Sequence, residues 1–200
     1  MLRRRRKKSS SPEILESRAL LTTITVTSLA DVTADDGQTT LREAVLEAES
    51  IAGADSIVFD AGLSGVIQLT QGPIVVAGHE VVIEGNGRAA TVIDANGADV
   101  IFDADNSNPV DLTLRSLSLQ NANDHAVAGD ATSNQRIRIQ LEDVLITGTM
   151  ASHAFASSFT GAVSVSAAGA NRASLTIRDS EISGNNGTAC LLYTSPSPRD

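Results

Sequence analysis

The chain has 200 residues, 15 of them basic and 24 acidic, for a formal net charge of −9. Aromatic residues make up 2% and Trp is absent, so the apolar content comes from Val, Ile, Leu and Ala. A core of short, largely β-branched side chains suits stacked strands better than a helical globule. Six of the basic residues are Arg3 to Arg6, Lys7 and Lys8, which leaves nine against 24 acidic ones in the rest of the chain. Such a body repels phosphate backbones, which argues against a nucleic-acid partner.

In chain order, the basic run is followed by Ser9-Ser10-Ser11-Pro12. The next apolar residues, Ile14, Leu15, Ala19, Leu20 and Leu21, are broken by Glu13, Glu16, Ser17 and Arg18. A secretory signal needs an unbroken apolar core of roughly 7–15 residues, so this is not a standard signal peptide. No later segment approaches the ~20 apolar residues of a membrane-spanning helix. Leu15-Glu16-Ser17-Arg18-Ala19-Leu20-Leu21 resembles the LEPR-XLL leader of large bacterial surface proteins, with Ser17 where that motif has Pro. Residues 1–22 are therefore read as a disordered basic leader, and the resemblance implies a secreted or cell-surface protein.

Residues 23–98 read as an N-terminal cap followed by the first strands. Ile24–Thr27 forms a strand and Asp31–Gly37 a polar loop; a helix is expected at about 39–50. Leu41, Ala44, Val45 and Ala48 share one face of that helix, and Arg42, Glu43, Glu47 and Glu49 the other. Strands are expected at 56–59, 66–69, 74–76, 81–83 and 91–93, separated by Gly-containing turns. An uncovered end of a strand stack invites edge pairing, which gives the helix a capping role.

Residues 99–189 contain an internal repeat. Val100–Asn121, Val127–Gly148 and Val163–Gly184 align without gaps over 22 residues. Phe102, Gly129 and Val165 correspond, as do Leu112, Ile139 and Leu175, then Leu114, Leu141 and Ile177. Ser116, Asp143 and Asp179 follow as polar corners, then Leu119, Ile146 and Ile182. Asn121, Gly148 and Gly184 suit a special backbone conformation at the next corner. A unit this short cannot bury its own apolar face; stacked units can, each row covering the one below. The fold class is all-β, a parallel β-helix, that is, a solenoid with an N-terminal capping helix. A β-sandwich also has short, evenly spaced strands but does not require corner-on-corner repeats. No repeat has a helical period, which excludes an α-solenoid. Ala122–Ala126 and Thr149–Ala162 are insertions expected to project as loops.

Asp35-Asp36-Gly37-Gln38-Thr39-Thr40-Leu41-Arg42-Glu43-Ala44 resembles the CSLREA segment that opens many bacterial β-helix proteins. Asp55–Phe59 and Val82–Gly87 also fit that pattern, and the resemblance runs from about Val26 to Ala189. Thr39 stands where the family has its cysteine. The resemblance implies a right-handed parallel β-helix on a secreted or surface protein, adhesin-like, of largely unestablished activity. Residues 190–200, Cys190 to Asp200, resemble one reading frame of a sequencing adaptor. On that reading Cys190 and Tyr193 are foreign, and the native protein continues beyond Ala189, truncated here.

No catalytic, cofactor-binding or metal-ligating residue is assigned. Asp94, Asp99, Asp103, Asp105, Asp111 and Arg115 could line a polysaccharide groove, but turn residues and solvated strand faces are the preferred reading of them. Asp103-Ala104-Asp105-Asn106-Ser107-Asn108 has the alternating oxygens of a calcium loop, yet lacks the Gly at its sixth place, and Leu114 replaces the bidentate Glu. Calcium is thus a weak reading, and no other cofactor is implied. His79, His125 and His153 have no paired spacing, and no Ser lies in a Gly-x-Ser-x-Gly elbow. Asn186-Gly187-Thr188 matches a glycosylation sequon, a short pattern common by chance. The expected function is a noncatalytic surface module, adhesin-like or structural, with an extracellular glycan or surface protein as partner. The alternative is a polysaccharide lyase or glycoside hydrolase of the β-helix type whose site lies partly beyond Ala189.

Overall fold

A computed structural model describes residues 22–50, 53–78, 80–98, 100–104, 108–131, 136–150, 161–169, 171–186 and 188–194. The leader through residue 21, His79, Asp99, Asp105, His153 and most of the 149–162 insertion lie outside them. The described chain is mostly β, with one helix and strands that pair in parallel.

The strands fall into three rows. The first holds β1 (Thr22–Val26), β2 (Ala54–Phe59), β5 (Glu80–Glu84), β8 (Val110–Gln120), β10 (Arg136–Thr147) and β12 (Arg172–Arg178), in that order. The second holds β3 (Gly65–Gln68) and β6 (Thr91–Asp94), then the C-terminal parts of β8 and β10, then β13 (Glu181–Ile182). The third holds β4 (Ile74–Val76), β7 (Val100–Ala104), β9 (His125–Ala131), β11 (Gly161–Ala167) and β14 (Thr188–Thr194). From β2 onward the chain visits row one, row two and row three in turn, and then repeats the order.

Alternation sets the inward face. In β10, Ile137, Ile139 and Leu141 are buried, while Arg136 and Arg138 are exposed. Register then stacks like on like: Ile24, Ile57, Ile83, Leu114, Leu141 and Ile177 form one ladder. Ile67, Ile93, Leu119, Ile146 and Ile182 form a second, in row two. Ile74, Phe102, Val127 and Val163 form a third. The first ladder is buried except at Ile177, which is 38% exposed.

Corners come where the sequence places them. Ser116 (φ 49°), Asp143 (φ 54°) and Asp179 (φ 50°) take the left-handed conformation that non-glycine residues seldom adopt. Each bend turns the strand from row one to row two. The inward set resumes three residues on, from Leu114 to Leu117 and from Leu141 to Val144. Asn121 (φ 60°), Gly148 (φ 70°) and Gly184 (φ 66°) form the next corner in the same way. At 148 a β-carbon would also stand 2.6 Å from Asn121 Oδ1, so that side chain would have to move.

One part of the repeat alignment is corrected. Leu112 pairs with Ile139 and Ile139 with Leu175, as aligned. In row three, however, Val127 sits beside Phe102 rather than Val100, and Gly129 beside Ala104 rather than Phe102. The second unit carries two extra residues between its row-three and row-one strands, so the ungapped alignment of the first two units fails there. A two-residue slip keeps every side chain on its own face, so the apolar pattern could not expose it. The second and third units do align throughout, with Val163 beside Val127 and Leu175 beside Ile139.

The helix α1 (Leu41–Ser50) buries Leu41, Ala44, Val45 and Ala48, the face its spacing predicts. It starts two residues later than expected because Thr40 is its N-cap. The Thr40 N–H donates to Glu43 Oε2 (2.8 Å) and the Glu43 N–H to Thr40 Oγ1 (3.2 Å), a reciprocal capping box. Arg42 Nε donates to Asp31 Oδ1 at 2.7 Å, and Arg42 also reaches the carbonyls of Gly72 and Pro73 at 2.8 and 2.9 Å. Asp31 Oδ2 accepts from the backbone of Thr70 (2.6 Å) and Gln71 (3.0 Å). The loop before the helix is thereby tied to the turn between β3 and β4.

β14 takes in Cys190–Thr194 from the adaptor-like segment, paired with β11. Backbone pairing at an open strand edge is indifferent to side-chain sequence.

Candidate functional site

The outer face of row one carries most of the basic side chains among the described residues. Seven arginines and no lysine fall in the described chain: Arg42, Arg88, Arg115, Arg136, Arg138, Arg172 and Arg178. Arg42 belongs to the cap. Arg88 lies in the turn before β6, with Nε 2.8 Å from Asp143 Oδ1, an ion pair by distance although the N–H is not aimed along it. The other five lie on β8, β10 and β12, where strand alternation turns them away from the core.

Register sorts these residues into files that cross the strands. Glu84, Arg115, Glu142 and Arg178 form one file of alternating sign. Within it, Arg115 Nε donates to Glu142 Oε2 at 2.7 Å, and Arg178 Nη1 lies 3.7 Å from Glu142 Oε1. Next to it runs a neutral file that includes Thr113 and Gln140, joined at 3.3 Å. A third holds Glu80, Asp111, Arg138 and Ser174. Beside it, Arg136 and Arg172 are in register with each other. Asp111 Oδ2 accepts from both Arg136 (2.9 Å) and Arg138 (3.2 Å), while Asp111 Oδ1 is buried without a hydrogen-bond partner among the described residues.

Among the described residues the groove candidates do not converge. Asp111 and Arg115 share the outer face of row one, but Asp94 ends a row-two strand and Asp103 lies on row three. Asp94 Oδ2 is held by Asn121 Nδ2 at 2.9 Å and Gln120 Nε2 at 3.2 Å, as a corner residue. Asp105, Asn106 and Ser107 of the calcium-like loop lie outside the described residues. His125 has Nδ1 2.6 Å from the Gly161 carbonyl and Nε2 3.5 Å from Asp124 Oδ1, so both ring nitrogens face an oxygen. No helix among the described residues is long and apolar enough to cross a membrane. A shallow apolar groove lined by Val45, Leu46, Pro73, Ile74 and Val75 runs between α1 and β4, with Arg42 at its edge.

The Arg136–Arg172 pairing was open to sequence reasoning and was missed. Both occupy the same position of the second and third repeat units, and that alignment was read from its apolar and corner positions, not from its charges. The chain matches no protein-family model, no curated protein and no solved structure.

Proposed function

We propose that the chain is part of a right-handed parallel β-helix in which each course through the three rows is one coil. On this reading it is a noncatalytic cell-surface or secreted module, adhesin-like or structural, that presents loops and one polar sheet face from a rigid stack. The observation that carries the reading is the in-register apolar ladder from Ile24 to Ile177, crossing every strand of row one. The handedness is supported by the right-handed crossover of parallel strands in about 98% of cases and by the CSLREA resemblance. The dispersal of Asp94, Asp103 and Asp111 over three rows favours a binding or structural role over catalysis.

Two measurements test the two halves. Diffraction from crystals of the chain should show right-handed coils; left-handed winding, or antiparallel pairing of β8 and β10, overturns the fold. Incubation with a panel of polysaccharides should release no reducing or unsaturated sugars. Release that is lost in Asp111→Asn would replace the noncatalytic reading with a polysaccharide lyase or hydrolase.

A further inference from the structure

The in-register placement of Arg136 and Arg172 is unfavourable by itself. Neighbouring strands are about 4.8 Å apart, and like charges directly opposite one another destabilise a sheet. Asp111 is the carboxylate bonded at this cluster, and one of its oxygens already serves both Arg136 and Arg138. Arg172 forms no ion pair among the described residues and is exposed. The segments leading into the two strands, Thr132-Ser133-Asn134-Gln135 and Ala168-Gly169-Ala170-Asn171, contain no acid. Three guanidinium groups therefore face one carboxylate. The neighbouring Glu84–Arg115–Glu142–Arg178 file alternates in sign, so the surplus is local.

We propose that Arg136, Arg138 and Arg172 bind carboxylates of an extended acidic polysaccharide, a polyuronate, lying across the outer face of row one. This deepens the surface-module reading above and rests on it. The planar guanidinium fork matches a carboxylate in bidentate geometry. Arg178 stands six residues along β12 from Arg172, ~20 Å at about 3.3 Å per residue, beside Glu142, and so lies outside the proposed contact. Glu80, Glu84 and Glu142 share this face and would repel a polymer as densely charged as nucleic acid. A polyuronate carries one carboxylate per sugar, sparser than the one charge per ~1.7 Å of duplex DNA, and a chain along the Arg136–Arg172 file stays clear of those three acids.

The test is titration calorimetry of the intact chain with polygalacturonate and with its fully methyl-esterified form. The acid polymer should bind, more weakly as salt rises, and the ester at least about tenfold more weakly, the scale of a lost charge-assisted hydrogen bond. Arg136→Gln with Arg172→Gln should weaken binding about tenfold or more, and Arg178→Gln less than about threefold. Absence of binding, equal binding of acid and ester, or equally tight binding of single-stranded DNA overturns the proposal. Comparing acid with ester needs no variant, so a misfolded double variant leaves the test intact. Failure of the coil-stack reading would appear separately, in the diffraction experiment, whatever the polymer does.

Discussion

Asp31 and Arg42 form a buried ion pair, Nε to Oδ1 at 2.7 Å, with the Asp31 side chain only 2% exposed. The pair joins α1 to the β3–β4 turn, because Arg42 also caps the Gly72 and Pro73 carbonyls. Asp31→Ala leaves a guanidinium without its counter-charge and should cost about 3 kcal/mol or more. Urea unfolding would check this. A cost near zero would mean that the cap is not part of the cooperative unit.

The same carboxylate sets an acid limit on stability. Burial pushes the Asp31 carboxyl up, but the Arg42 hydrogen bond, the Thr70 and Gln71 N–H groups and the Arg42 charge outweigh it, so it titrates below 3.8. Glu43 is held below 4.5 by the N–H groups of Thr40 and Ala34. For groups depressed on folding, the stability gained is complete above the unfolded value and is lost as pH falls through the folded one. Melting temperature should therefore fall as pH drops below about 4, and Asp31→Asn with Glu43→Gln should flatten that fall. An unchanged slope in the double variant would show that other carboxylates dominate.

Leu114 lies between Ile83 and Leu141 with no exposed surface. Leu114→Ala should cost about 2–5 kcal/mol, the transfer loss plus the cavity. Ile177→Ala, on the same ladder but 38% exposed, should cost clearly less. Chemical denaturation of both variants makes the comparison; equal costs would contradict a ladder that tightens inward.

Gly148→Ala combines a left-handed φ with a β-carbon 2.6 Å from Asn121 Oδ1. A loss of about 1–3 kcal/mol is expected, partly recovered by adding Asn121→Ala. Gly97→Ala, with φ 79° but nothing within 4 Å, should show the strain alone. If Gly97→Ala proves the costlier change in thermal melts, the close-approach argument is wrong.

Asp55 is fully buried in row one, in register with Val81, and both its carboxylate oxygens lack a hydrogen-bond partner among the described residues. Burying an unpartnered polar group costs about 1–3 kcal/mol. Asp55→Val should raise the melting temperature by a corresponding amount. A large destabilisation instead would point to a partner for this carboxylate outside the described residues.

The amphipathic face of α1 and both corner trios were read directly from the residues, whereas the T-x-x-E cap at Thr40 and Glu43 was overlooked and the helix start placed two residues early. Each is a local signal: helical spacing, a capping pair, or a small polar residue ending an alternation. The match of Leu112, Ile139 and Leu175 was legible for the same reason, since a repeat carries its own alignment.

Long-range placement is a different matter. The two-residue slip between row three and row one of the first two units was invisible, because alternation has period two and survives such a shift. That Asp94, Asp103 and Asp111 part onto three rows follows from where the corners turn the chain, which no one segment encodes. Sequence by itself determined which side chains face inward and where the strands bend, through periodicity and backbone preference. Only the tertiary structure decided which strand lies beside which, and so which charges meet. It set Arg136 against Arg172, 36 positions apart in the chain, because parallel pairing puts equivalent positions of consecutive repeat units on neighbouring strands.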